Sequence, residues 1–241
     1  MDALKKFKFQ AGADSEMTAL TWFDFLQNQE FDYTTIKEID FTGSAPRIFD
    51  SAGNKFSIDF AEDQRNYNKK KATMKKELIG RAMGAGRLGI RILDLSAGLG
   101  IDAVFLCQLG FEVTALERNP LVFLALDEAQ KKQKHPCKIH FIFGHAQKIL
   151  QTIKDDYDVI YFDPMFPEKI KSALPRQEMV FFRKLVGSDD DAEQVLQEAL
   201  KKNNVRRVVV KRPLKAPLLL PRPQSQLTGK LVRFDIYGAS N

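Results

Sequence analysis

Between Gly89 and Asp102 the chain reads GIRILDLSAGLGID. Ile90, Ile92, Leu93 and Leu95 form a nearly continuous apolar run, the pattern of a parallel strand buried on both faces. Ser96-Ala97-Gly98-Leu99-Gly100 follows as a turn, and then Ala103, Val104, Leu106 and Cys107 recur at helical spacing. From Arg91 onward the two patterns alternate. Strands are predicted at 91–95, 112–117, 139–143, 157–162 and 206–211, with helices near 101–109, 120–133, 146–153 and 190–203. Asn119-Pro120 starts the second of these helices, a position that tolerates proline. Such alternation implies a parallel sheet with right-handed crossovers. A last strand is predicted at Leu231–Gly238. Its approach carries Pro213, Pro217, Pro221 and Pro223, which leaves little room for a crossover helix, so this strand is expected to run antiparallel to its predecessor.

The segment before Gly89 is patterned differently. Residues 1–30 predict an extended start and then a helix, with Asp14 or Ser15 as N-cap and Leu20, Phe23 and Leu26 at helical spacing. RIFDSAGNKFSIDF, residues 47–60, alternates on both sides of Ser51-Ala52-Gly53-Asn54 and predicts a hairpin. Helical spacing resumes over Met74–Met83. A boundary near residue 65 divides a small N-terminal α+β lobe, 1–65, from the main domain, 66–241.

A strand, a glycine turn and a helix make a nucleotide-type cofactor site. Glycines let the backbone approach a ligand, and free amides at the helix start favour anionic groups. Asp94 closes the first strand. The second strand ends on Glu117, seventeen residues after Gly100, where an acid can accept both hydroxyls of a ribose. Two cofactors fit these residues. Gly98 to Ala103 has the GxGxxA form of an NAD fingerprint, and an S-adenosylmethionine (SAM) site uses the same turn and the same acid. The expected antiparallel last strand favours the SAM-dependent methyltransferase architecture.

The fourth strand runs into Asp163-Pro164-Met165-Phe166-Pro167. In an open α/β sheet the carboxyl ends of strands near the first one line the ligand crevice, so this loop is expected to face the glycine turn. The Asp163 carboxylate, the Pro164 carbonyl and the Phe166 ring suit an exocyclic amine on a nucleobase. Two acceptors hold its N–H groups, and an aromatic face stacks on the extruded base. Against this stands an Asx-type turn with Phe166 simply packed.

Composition narrows the class. The 241 residues allow one α/β domain with a small addition, and no apolar run reaches the roughly 18 residues of a membrane span. The amino terminus has no apolar core of secretory length. Cys107 and Cys137 suit a reducing cytoplasm and give neither a disulfide framework nor a zinc site. His135, His140 and His145, five apart, do not share a strand face, and a common metal is not expected. The net charge is +6, yet residues 201–233 alone hold ten basic side chains and no acid, so the excess is local. Lys69-Lys70-Lys71 opens a second basic cluster. Localised positive charge beside a catalytic domain points to nucleic acid, with a solvated face as the alternative. Lys169 and Lys171 follow the Asp163 loop and fit either RNA phosphates or solvated loop charges. Lys211-Arg212 ends the fifth strand on the active-site edge and is assigned to RNA contact. Asp189–Asp191 reads as a helix N-cap.

LDLSAGLGIDA, ALERNP, YFDPMFPEKIKSAL, LVGSDDDA, RVVVKRP and RFDIY, in that order, resemble the RsmJ family of small-subunit ribosomal RNA methyltransferases. The likeness covers about residues 55–238. It implies a Rossmann-like class I SAM-dependent methyltransferase, with a mostly parallel seven-stranded sheet and an antiparallel C-terminal strand. It also implies transfer from SAM to guanine N2 of 16S rRNA, free or in the small ribosomal subunit, with no membrane and no metal. Cofactor contacts are implied at Gly98, Gly100, Ile101 and Asp102, at Glu117-Arg118, at Ala146-Gln147 and at Asp163; Asp94 joins this set. The family usually has arginine where this chain has Ile101, so a polar contact there is confined to the backbone. An NAD-dependent oxidoreductase and a non-catalytic RNA-binding protein of methyltransferase fold are the alternatives.

Overall fold

The computed structural model describes residues 8–60, 77–84, 89–133, 138–165 and 177–238, the side chains of 177–179 excepted. Phe166, Lys169 and Lys171, like the Lys69–Lys71 cluster, lie outside the described residues. The chain divides into two compact units, Met1–Phe60 with Asn119–Gln133 and Met165–Ser188, and Ala61–Arg118 with Lys134–Pro164 and Asp189–Asn241.

The first unit contains a four-stranded sheet of β1 (Lys8–Gln10), β2 (Ile36–Asp40), β3 (Arg47–Asp50) and β4 (Lys55–Phe56), in that order. β1 and β2 run parallel and the other pairs antiparallel. The predicted hairpin is β3–β4. Its turn is held by the Asp50 carboxylate, which accepts from the Ala52 and Asn54 amides and from Asn54 Nδ2 at 2.8–2.9 Å. Helix α1 (Glu16–Leu26) buries Trp22 and Leu26, and Trp22 meets Phe41 edge-on at 5.1 Å. β2 was not predicted.

The second unit is the cofactor scaffold. After α2 (Leu78–Met83) come β5 (Arg91–Asp94), α3 (Ile101–Gln108) and β6 (Glu112–Glu117). The first unit's α4 (Pro120–Lys132) follows in sequence; its N-cap Asn119 accepts from the Leu121 and Val122 amides, with Pro120 in the first turn. The second unit resumes with β7 (Ile139–Phe143), α5 (Ala146–Thr152) and β8 (Val159–Phe162). Helix α6 (Gln177–Val186), in the first unit, was not predicted. Helix α7 (Ala192–Leu200) and strands β9 (Arg207–Pro213), β10 (Ser225–Thr228) and β11 (Val232–Gly238) complete the chain.

The seven strands lie in the order β10-β11-β9-β8-β5-β6-β7. Pairs from β9 through β7 are parallel, whereas β11 runs antiparallel to both β9 and β10. The expected antiparallel ending is present, with an unpredicted short strand beyond it. The central strands are buried on both faces, as their apolar runs require. β5 has β6 on one side and β8 on the other, so the order reverses there and the ligand crevice opens at its carboxyl end. Among the described residues no helix is long and apolar enough to cross a membrane, and no cluster of metal-ligating side chains is found. Cys107 is disulfide-bonded, which corrects the expectation of reduced thiols.

Candidate active site

The glycine turn is laced to both neighbouring strands. Leu95 donates its amide to Tyr161 on β8 at 2.9 Å, and Ala97 donates to Leu116 on β6 at 2.8 Å. The next amide, of Gly98, donates to the Glu117 carboxylate at 2.9 Å. Gly98 and Gly100 have φ of +53° and +76°, conformations that a β-carbon makes costly, so glycine is required at both. Gly100 then caps α3, whose first turn carries Asp102.

The loop after β8 is stitched to the same turn. The Asp163 amide donates to Ser96 Oγ at 2.8 Å, while Ser96 donates its own amide, at 2.9 Å, to Asp94. One short side chain thus joins the end of β5 to the end of β8, and Asp163 stands on the rim that carries Gly98. Ser96 was not singled out from the sequence. The only signal was its hydroxyl between Asp94 and the glycines.

Three further side chains complete the arrangement. Lys211 Nζ lies 2.7 Å from Asp102 Oδ2 and 2.9 Å from Asp163 Oδ2. Tyr161 donates its hydroxyl to the same Asp102 oxygen at 2.6 Å. For Lys211, burial opposes the charge, but the Asp163 and Asp102 carboxylates outweigh it and hold the ammonium above its ordinary pKa. Burial pushes Asp163 up to about 6, with Lys211 opposing and Asp102 adding to the rise. Burial, with the nearby Asp102 and Asp163 charges, pushes Asp94 up to about 7.

Lys211 and Arg212, assigned to RNA from the sequence, both have partners within the chain. Lys211 points at two carboxylates. Arg212 is buried and donates to the Pro217 carbonyl at 2.7 Å. Strand alternation sends the two neighbouring side chains to opposite faces, Lys211 half-buried and Arg212 buried. The remaining candidates fall on one edge. Glu117 and Arg118 end β6, and Ala146 and Gln147 open α5 just after β7. Arg118 Nη2 pairs with Asp189 at 2.7 Å and its Nη1 approaches Asp191 at 3.6 Å. Asp191 is the N-cap of α7, as predicted, but its carboxylate turns to Arg118 and His145 rather than to the helix amides. Ile101 is half exposed and Pro164 is buried.

The donor set fits SAM. Asp94, Asp102, Glu117 and Asp163 lie around the ends of β5, β6 and β8, and Lys211 pairs with Asp102 and Asp163, so the crevice complements a ligand with a sulfonium and an ammonium. An anionic pyrophosphate would meet this excess of carboxylates unfavourably. The comparisons agree. Residues 46–239 match the family described as "Putative SAM-dependent methyltransferase", and with the reversing sheet this makes the chain a class I SAM-dependent methyltransferase. It is 50% identical over 186 residues to ribosomal RNA small subunit methyltransferase J of Bdellovibrio bacteriovorus, covering 75% of this chain and 73% of that protein. To the Coxiella burnetii protein of the same name it is 42% identical, with the same shares covered. The chain belongs to the ribosomal RNA small subunit methyltransferase J family. A crystal structure of a SAM-dependent methyltransferase from Neisseria gonorrhoeae superposes with a TM-score of 0.71 at 25% identity, covering 96% of this chain and 95% of that one. The NAD reading of the glycine turn and the non-catalytic alternative are thereby overturned.

Proposed function

We propose that this enzyme methylates the exocyclic N2 amine of a guanine in 16S rRNA, in the cytoplasm. The observation that supports the reading is the bond from the Asp163 amide to Ser96 Oγ, which ties the β8 loop to the glycine turn. The names of the relatives supply the RNA.

When bound, SAM supplies a methyl carbon made electrophilic by its sulfonium. The protein does the rest by placement. Gly98 and Gly100 admit the methionine end, and Glu117 takes the ribose hydroxyls. Ile101 and Asp102, Arg118, Ala146 and Gln147 line the rest of the cofactor's path, with Asp94 beneath. A guanine amine is a poor nucleophile because its lone pair is delocalised into the ring. Acceptance of its N–H groups by the Asp163 carboxylate and the Pro164 carbonyl turns that lone pair toward the methyl, while Phe166 stacks on the base. Alignment of this kind supplies several kcal/mol of the barrier. Asp163 takes the proton that the nitrogen sheds as the new carbon–nitrogen bond forms and the carbon–sulfur bond breaks.

Mass mapping of 16S rRNA from cells with and without this protein tests the reading. Loss of one N2-methylguanine is expected. Unchanged rRNA, together with no transfer of labelled methyl to naked 16S rRNA or to 30S particles, overturns it.

A further inference from the structure

Of the ten basic side chains in residues 201–233, three turn inward. Lys211 and Arg212 do so at the strand end, and Arg233 makes a buried pair with Asp235 at 2.9 Å. Arg233 also donates from Nη1 to the carbonyls of Leu214 and Ala216, at 2.8 and 2.7 Å. The turn after β9 is therefore fixed from inside, with its carbonyls used and its side chains outward. The turn between β10 and β11 is fixed beside it. Gly229 donates to Val232 at 2.8 Å, and Leu214 donates to Leu231 at 2.9 Å. A β-carbon on Gly229 would come within 2.6 Å of Leu78 and 3.1 Å of the Val232 carbonyl, so that turn is closely seated.

These two turns present Lys215, Lys230 and Leu231 on the surface, and Leu231 is 82% exposed. Their position follows from register. Phe162 pairs with Val210, which sets Asp163 level with Lys211, and Lys211 pairs with Phe234. Leu231 is three residues beyond Phe234 toward the same edge, about 10 Å outward, and two strands or about 10 Å aside. A rigid pair of turns with two cations flanking an apolar tip thus borders the active-site rim.

We infer that the Lys215 turn and the Gly229-Lys230-Leu231 turn form the docking edge for the RNA strand flanking the target base, with the two lysines on phosphates and Leu231 against a nucleobase. Charge complementarity selects the partner, because the edge offers cations and one apolar side chain, the pattern that takes phosphates and wedges against a base step. Pre-fixed turns lose little freedom on binding. The inference rests on the RNA reading above.

The test uses the full chain with 30S particles, naked 16S rRNA and a short unstructured oligonucleotide spanning the modified guanine. K215E/K230E is expected to weaken rRNA binding at least tenfold and to lower the slope of log affinity against log salt by about 1.5, as loss of two phosphate contacts requires. L231A is expected to leave that slope unchanged and to lower methyl transfer to structured RNA several-fold more than to the oligonucleotide. SAM affinity should stay at the wild-type value in both. An unchanged slope in the double variant, or equal transfer by L231A to both RNAs, overturns the docking edge. The function reading fails separately, if the wild-type protein itself methylates no rRNA.

Discussion

Lys211 Nζ stands 2.9 Å from the Asp163 carboxylate at the ends of adjacent parallel strands, and its other contact is Asp102 at 2.7 Å. The ammonium favours the ionised form of a carboxyl that burial drives toward protonation. Asp163, pushed up to about 6, is therefore mostly ionised at neutral pH. Methyl transfer should rise with pH through about 6 and level off above it. Lys211→Met removes the opposing cation, so the rising limb should move to higher pH, whereas Lys211→Arg should keep it near the wild-type position. A pH–rate profile of single-turnover transfer checks this. A K211M profile superimposable on wild type would remove Lys211 from control of the site.

Asp163→Ala should lower methyl transfer by at least about a hundredfold through lost alignment of the amine. SAM affinity should stay within a few-fold, since Glu117 and the glycine turn are untouched. Titration calorimetry with SAM beside a labelled-methyl assay separates the two effects. Full activity in the variant would end the assignment.

Asp94, 1% exposed and pushed up to about 7, holds a proton in the folded protein across a range where the unfolded chain has lost it. The folded state binds more protons between about pH 4 and 7, so this group's contribution to stability falls as pH rises through that window. Asp94→Asn keeps an acceptor for the Ser96 amide and removes the titration. It should stabilise the protein at pH 8 by about 2–4 kcal/mol and by clearly less at pH 5. Urea unfolding without ligand at the two pH values is the measurement. Equal effects at both would place the charge elsewhere.

Arg233→Met should be the most destabilising of these changes. It leaves Asp235, which is wholly buried, without its cation and frees the carbonyls of the turn after β9. A cost of about 3–5 kcal/mol is expected. The double change Arg233→Met/Asp235→Leu should cost less than the single one, because the wholly buried carboxylate is then removed along with its partner. Chemical denaturation of the three proteins decides it.

Much of the scaffold was legible in the chain. The run Ile90–Leu95 became β5, and the alternation after it gave the parallel strands and their helices close to the predicted bounds. Asp163 and the glycine turn were readable as neighbours because strand order in such sheets fixes which loops share an edge. β10 was hidden by its length, four residues after Pro221 and Pro223, and it exists through pairing with β11 rather than through its own pattern. The protein partners of Lys211 and Arg212 were illegible for a different reason. Sequence displays a charge but not the direction it faces, and the partners that turn these residues inward, Asp102, Asp163 and the Pro217 carbonyl, come from elsewhere in the chain. Ser96 and Tyr161 were overlooked because a hydroxyl carries no signal until its acceptor or donor is known.

The shortness of β10 matters beyond topology. A sheet border with unused amides and carbonyls invites strands from other molecules, and ordered polymers grow from such borders. Here the border is four residues, mostly exposed and polar, entered from two prolines and left through Gly229-Lys230. A foreign strand finds too few ladder positions to hold. That border therefore offers a second copy of the chain little to pair with along that side.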